Sequence, residues 1–300
     1  MSASRERRDD GANHPQVART IPEIRELLAA APGKAGAVTG LVPTMGSLHE
    51  GHLSLARRAV EECDTSVLSI FINPIQFGVS EDFDSYPADI DGDLELAASA
   101  GIDLVFAPSA AEMYPPGFET SIDAGSVAEG LCGQSRPGHF QGVATVVAKL
   151  FNIIRPGRAY FGQKDAQQLA VVRRMARDLD YEVEIVACPT VRDSDGLALS
   201  SRNAYLSAEE REQAIVLFEA LSLARKAVES GETSAARVKR MMRKRIAENY
   251  LVEYEYARIA DPDTIQPVEK ITGGPVLLAV AATIGSARLI DNVIATPPGG

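Results

Sequence analysis

Residues 38–63 read VTGLVPTMGSLHEGHLSLARRAVEEC. The segment 38–43 is apolar and β-branched enough for a strand, and from 51 to 63 the apolar residues fall at helical spacing. The ten residues Pro43-Thr44-Met45-Gly46-Ser47-Leu48-His49-Glu50-Gly51-His52 are therefore the passage from a strand into a helix. The same alternation continues downstream, with strands predicted over 66–72, 103–107, 158–161 and 183–187 and helices over 90–100, 142–154 and 166–179. Strands that are continuously apolar suit burial on both faces, and helices between them suit crossovers, so the chain reads as an α/β protein with a doubly wound parallel sheet.

The alternation stops in the polar, Gly-containing stretch 189–203, which divides the 300 residues into two units, 17–189 and 190–300. In the second unit Ser207 and Glu210 form a capping box for a long helix that runs to about residue 230, where Gly231 ends it. A further amphipathic helix, 235–248, leads into 252–259, 276–284 and 287–294, which read as a small antiparallel sheet, giving an α+β second domain. Residues 1–17 are polar and rich in Arg, Asp and Gly, and read as a disordered tail without the apolar core of a secretion signal.

Composition narrows the chemistry. With 45% hydrophobic and 24% charged residues the chain is an ordinary globular one. Thirty Lys and Arg against 41 Asp and Glu leave a formal charge of −11, which repels nucleic acid and anionic membrane surfaces, so any phosphate site must be a local basic pocket. The longest apolar run, 276–282, is too short to span a bilayer. Cys63, Cys132 and Cys188 are widely spaced with no CxxC pair, which favours a reducing cytoplasm over a disulfide framework or a zinc site. Walker A, GxGxxG and GxSxG patterns are all missing.

The chemistry-bearing residues cluster where strands end. A helix start offers unpaired N–H groups and a positive dipole end, Gly51 lets a phosphate approach the backbone, and His49 and His52 can donate to its oxygens; the competing reading is two histidines capping a helix. After the second strand, Asn73 and Gln76 present neutral amides suited to a hydroxyacid, unless Asn73 only bonds its own turn. Arg136 and His139 enter a helix through Pro137-Gly138, as an anion site or as a surface ion-pair residue and a packed turn residue. In Phe161-Gly162-Gln163-Lys164-Asp165, Lys164 can meet phosphate charge, while Asp165 can accept ribose hydroxyls or cap the next helix. Asp195-Gly196-Leu197-Ala198-Leu199-Ser200-Ser201-Arg202-Asn203 reads as a mobile loop that is either a solvated turn or, paired with the histidines, the second half of a nucleotide clamp.

Together these segments resemble the pantoate–β-alanine ligase family of the HxGH nucleotidyltransferase superfamily. The resemblance is carried by PTMGxLHxGH, by FxNPxQF at Phe71–Phe77, by RPGHFxGVATVVxKL at Arg136–Leu150 and by FGxKDxQQL at Phe161–Leu169. It implies a Rossmann-like sheet with a smaller C-terminal lid, and condensation of pantoate with β-alanine using ATP and Mg²⁺ through a pantoyl adenylate. On this resemblance His49, His52, Lys164, Ser200, Ser201 and Arg202 act on ATP and its phosphates, with Thr44, Met45, Gly162, Asp165, Val191 and Leu199 around the nucleotide. Met45, Gln76 and Gln168 would hold pantoate, and Asn73, Arg136 and His139 are further substrate-site candidates. A homodimer is also implied. The sequence departs from the family at Leu199, where many members have Met, and at Asp89-Ile90-Asp91-Gly92-Asp93, which interrupts an acidic run and leaves Asp93 as the Mg²⁺ candidate. Another HxGH adenylyltransferase and an idle nucleotide sensor remain the alternatives.

Overall fold

The computed structural model of the protein describes residues 14–31, 36–78, 83, 86 and 88–299. Its first half runs β1 (Gln16–Ala18), α1 (Ile21–Ala30), β2 (Thr39–Thr44), α2 (Glu50–Glu62), β3 (Thr65–Ile70), α3 (Ile90–Ser99), β4 (Leu104–Phe106) and the short turns α4 (Ala110–Met113) and α5 (Cys132–Ser135). It continues through α6 (His139–Ile154), β5 (Arg158–Gly162), α7 (Ala166–Asp178) and β6 (Glu184–Cys188). The second half comprises α8 (Ala208–Ala214), α9 (Val216–Glu229), α10 (Ala235–Ile246), β7 (Val252–Ala260), β8 (Val276–Ile284) and β9 (Ala287–Ala295).

Six strands form one sheet in the order β1-β4-β3-β2-β5-β6, and every pairing is parallel. From β2 the chain winds outward to β3 and β4, then returns to the other side of β2 for β5 and β6. The reversal places a topological switch point between β2 and β5, where the crossovers diverge and leave a crevice at the carboxyl ends. Pairing of β2 with β5 covers only Gly40 and Leu41, so the two strands part before the crevice begins. Successive residues of the central strands serve opposite cores: Leu41 and Val67 face the layer of α1, α6 and α7, while Val42 and Leu68 face α2 and α3.

The second sheet is antiparallel in the order β7-β8-β9. Along β8 the alternation separates Leu278, Val280, Ala282 and Ile284, which pack on α9 and α10, from Leu277, Ala279 and Ala281, which join the core of the parallel-sheet layer. Strand β8 is thus buried on both faces, one of them against the core of the parallel sheet.

Several elements differ from the sequence reading. Residues 1–13 of the expected tail lie outside the described residues, but Gln16 and Val17 belong to β1, the edge strand beside β4. The following helix α1 was also missed, although Thr20 and Glu23 form a capping box with Pro22 in the first turn. Helix α6 starts at His139, three residues early, because Gly138 at φ 80° turns the chain directly into it. The helix expected from 207 to 230 divides at Ile215, which keeps a tightened right-handed backbone (φ −58°, ψ −28°). Stretch 189–203 is a tied hairpin: Arg192 bridges Ala198, the Asp193 N–H donates to the Leu197 carbonyl at 2.9 Å, and Arg211 holds Asp193 and Asp195, each at 2.6 Å. Among the described residues no helix is long and apolar enough to cross a membrane.

Candidate active site

Every candidate residue except Asp93 lines one cavity of about 230 Å³ at the β2/β5 crevice. A larger cavity of about 760 Å³ adjoins it toward β7–β9 and shares Arg136, His139, Lys164, Asp165, Gln168, Ser200 and Arg202 with it. The combined cleft lies between the carboxyl edge of the parallel sheet and the face of the antiparallel one. In the smaller cavity, Lys164, Arg136 and Arg202 against Asp165 make a local basic pocket in an acidic protein.

The loop after β2 is shaped by its own backbone. Gly46 (φ 84°) and Ser47 (φ 51°) are both left-handed, and the Asp93 carboxylate beneath them accepts the Ser47 N–H at 2.9 Å and the Leu48 N–H at 2.7 Å. A Cβ on Gly46 would stand 2.7 Å from Asp93 Oδ2, so glycine is required by space as well as by φ. Asp93 is 4% exposed and lies outside the cavity, and burial pushes its carboxyl up against the pull of the two amides. Its expected place beside Mg²⁺ is thereby corrected: both oxygens are already engaged with the loop. Thr44 likewise spends its hydroxyl on the Ser69 carbonyl at 2.7 Å, fixing the end of β2.

His49 is the N-cap of α2, its Nδ1 accepting the Gly51 N–H at 3.1 Å. The proton of that tautomer, assigned from this bond, is on Nε2. The capping and cavity-facing readings of His49 hold together, since one ring nitrogen caps while the ring lines the cavity. The first-turn amides expected to meet phosphate are occupied instead: Gly51 N–H by His49, and the His52 N–H by the His49 carbonyl at 2.8 Å. Gly51 has a further steric reason, because a Cβ there would come within 2.7 Å of the His49 ring. His52 stacks beneath at 4.1 Å between ring centroids, and its Nδ1 is buried without a hydrogen-bond partner. Burial, then the Lys164 charge, lowers the His49 pKa to about 4; burial, then His49, then Lys164, lowers that of His52 to about 3. Both rings are neutral at pH 7.

A relay of side chains sets the second wall. Tyr114 OH donates to Asn73 Oδ1 at 2.8 Å; Asn73 Nδ2 donates to Gln76 Oε1 at 2.9 Å and to the Gly142 carbonyl at 3.1 Å; Gln76 Nε2 reaches Met45 Sδ at 2.9 Å. Asn73, 1% exposed, has both amide hydrogens committed inside the protein, so it orients Gln76. His139 Nδ1 donates to the Gln76 carbonyl at 2.8 Å, leaving Nε2 to accept from Arg136 Nη1 at 3.0 Å. Gly142 permits the contact between α6 and this turn: a Cβ would lie 2.4 Å from the Ile75 carbonyl oxygen. Tyr114, absent from the sequence reading, sits in no motif and is brought here by packing.

On the opposite wall, Asp165 occupies the N-cap position of α7 without a side-chain capping bond, and it lines the cavity. Gly162 at the end of β5 would meet nothing within 4 Å if it carried a Cβ, so the open space beside it belongs to the cavity and not to neighbouring protein. Ser200 caps the turn Ser201–Tyr205 by accepting the Arg202 N–H at 3.3 Å.

A helix start bearing two histidines faces a lysine-bearing turn across the switch point of a doubly wound sheet, the class of site in which such sheets hold ligands. Comparison with known proteins sharpens the class: the family model for pantoate-beta-alanine ligase matches residues 16–294. A pantothenate synthetase of Heliobacterium modesticaldum is 55% identical over 92% of this chain and 99% of its own length. The crystal structure of pantothenate synthetase from Thermus thermophilus superposes with a TM-score of 0.88 at 46% identity, covering 94% of this chain and all of that one. Pantoate-beta-alanine ligase from Francisella tularensis, crystallised with Beta-gamma ATP and Beta-alanine, gives 0.75 at 32% identity, covering 93% of this chain and 97% of that one. The chain belongs to the pantoate-beta-alanine ligase family, and its reaction is the ligation of pantoate with β-alanine.

Proposed function

We propose that ligation proceeds with ATP through a pantoyl adenylate held in the β2/β5 cleft. The observation that carries this reading is the convergence of five separate motif segments on one cavity, with cationic Lys164 and Arg202 beside two neutral histidines. The Francisella relative crystallised with an ATP compound and β-alanine supports ATP as co-substrate.

In the first step the pantoate carboxylate attacks the α-phosphorus and pyrophosphate leaves. Lys164, Ser200, Ser201 and Arg202 take the phosphate oxygens, and His49 and His52 donate to them from neutral rings. The dry, fixed donors stabilise charge as it develops on the leaving group. Gly162, Asp165, Val191 and Leu199 surround the adenosine. Met45, Gln76 and Gln168 hold pantoate, Asn73 and His139 order that wall, and Arg136 lies beside His139 at the cavity shared by both substrates. In the second step the neutral amine of β-alanine attacks the acyl carbon, forming the amide, expelling AMP and releasing the amine proton.

Mg²⁺ would be held mainly through substrate phosphates, with Asp165 on the wall of the smaller cavity as the protein carboxylate beside it. When bound, the ion neutralises phosphate charge. Unit 190–300 covers the cleft as a lid with the Ser200–Arg202 loop at its boundary, so ATP should slow proteolysis there; unchanged cleavage rejects the lid. The family resemblance further supports a cytoplasmic homodimer, which sedimentation equilibrium checks for assembly.

The deciding assay follows pyrophosphate, AMP and products by mass spectrometry after incubation with ATP, Mg²⁺ and pantoate, with and without β-alanine. Pantothenate and AMP formed only with all substrates, and pyrophosphate with pantoate alone, are expected. Pyrophosphate that never precedes β-alanine addition rejects the adenylate.

A further inference from the structure

The proposed phosphate-binding groups arrive from two places that share no strand pairing. Lys164 rides on the turn Gln163–Asp165 after β5, whereas Ser200, Ser201 and Arg202 follow the hairpin at the boundary of the second unit. Both supports lead to two adjacent residues in the middle of β9, Asp291 and Asn292, each only 4% exposed.

Asn292 Nδ2 donates to two successive carbonyls of the lysine turn, to Gln163 at 3.0 Å and to Lys164 at 2.7 Å. Two hydrogens of one planar amide on neighbouring carbonyls fix the orientation of a peptide unit, not merely its distance. Asp291 takes the Arg192 guanidinium in a two-point pair, 2.7 Å from Nη1 to Oδ2 and 2.9 Å from Nη2 to Oδ1. The same guanidinium donates to the Gly196 carbonyl at 3.1 Å and lies 4.2 Å over the Phe218 ring. Gly196 (φ 96°) closes the hairpin against that ring, where a Cβ would stand 2.2 Å from it. The Asn292 backbone N–H donates to Asp291 Oδ1 at 2.7 Å, which ties the Asp291 carboxylate to the β9 backbone that carries Asn292. An ion pair removed from water is retained at a cost in desolvation, and here it fixes one geometry between the hairpin and the lysine turn.

We infer that Asp291–Asn292 is a positioning element for the ligation: it sets Lys164 against the Ser200–Arg202 loop so that both meet one polyphosphate. The inference rests on the phosphate roles assigned above. It gives the second unit a part in catalysis through backbone placement, with neither residue touching the reacting atoms.

The test is Asn292→Ala in the full chain, assayed for pyrophosphate release with pantoate and saturating ATP, beside Lys164→Ala and the double variant. Misplacement of a phosphate-contacting group by an ångström costs on the order of a hundredfold, so Asn292→Ala should lower kcat about ten- to a hundredfold, with the pantoate KM changed less than about twofold. In the Lys164→Ala background the same substitution should change kcat by less than about twofold, because its effect passes through the lysine. A double variant slower than Lys164→Ala by the full factor seen for Asn292→Ala overturns the inference, as does folded Asn292→Ala with wild-type kcat while Lys164→Ala is impaired. Full activity in Lys164→Ala would instead remove the phosphate assignment and the inference with it. Asn292→Asp keeps the side-chain shape and removes both amide donors, and should reproduce Asn292→Ala. If neither variant folds, the pair is a core strut and the inference fails.

Discussion

The two sheets contribute to the cleft in different ways. The parallel sheet supplies strand ends: the loops after β2, β3 and β5 each carry several polar residues within a few positions, because a buried strand has no room for them until it ends. The antiparallel sheet supplies a face: Glu253, Glu255 and Arg288 line the larger cavity, and the two residues that reach the hairpin and the lysine turn are Asp291 and Asn292, in the middle of β9 between Ile290 and Val293. Strand ends concentrate function into readable motifs, whereas a sheet face disperses it among residues whose neighbours are ordinary core.

The contrast can be broken first at Lys164. Removing one preorganised donor costs about 10² to 10³ in rate, so Lys164→Ala should lose that much pyrophosphate release while its thermal midpoint stays within about 2 °C of wild type. Retained activity at retained stability would move the phosphate site away from the β5 end.

Two glycines separate packing from binding along the same edge. Gly142→Ala drives a methyl group toward the Ile75 carbonyl and should cost about 1 to 3 kcal/mol of stability, read by urea denaturation. Gly162→Ala meets no protein atom within 4 Å and should leave stability unchanged, while weakening ATP binding about tenfold by calorimetry, or about 1.4 kcal/mol. An unstable Gly162→Ala would show that β5 ends against protein and not against ligand space.

The smallest effect is a slope. His49 and His52, lowered to about 4 and about 3, stay neutral in the fold at pH values where the unfolded chain, titrating near 6.5, takes up protons. Stability is therefore full above about pH 6.5 and falls on acidification toward pH 4, each histidine adding up to about 1.4 kcal/mol per pH unit. His52→Gln should lower that slope by one histidine's share in denaturation series from pH 7.5 to 5. An unchanged slope would place the buried proton deficit elsewhere.

Much of the site was legible because local sequence carried it. The strand-to-helix passage at 43–52 and the segments around Gln76, His139, Lys164 and Ser200 all line one cavity. What local reading missed has physical causes. The amides at the start of α2 looked available, but His49 accepts the Gly51 N–H on its Nδ1 and the His52 N–H on its carbonyl. Asp93 was the Mg²⁺ candidate on the family resemblance, while in the fold its carboxylate accepts the Ser47 and Leu48 amides beneath the loop. Tyr114 and Arg192 carried no motif, and loop 195–203 looked mobile because the anchors of its hairpin, Arg211 on Asp195 and Asp291 on Arg192, lie 16 and 99 positions further along.

By itself, the sequence determined the alternation of strands and helices, the parallel sheet, the acidic overall charge and the identity of the groups at the strand ends, since each depends on periodicity or short spacing. Only the tertiary structure decided which of those groups face the cavity, which are consumed in holding others, and how Lys164 is set against Ser200–Arg202. Those outcomes depend on hydrogen-bond geometry and desolvation between residues distant in the chain, where one buried amide such as Asn292 selects a single arrangement among many that the local sequence permits.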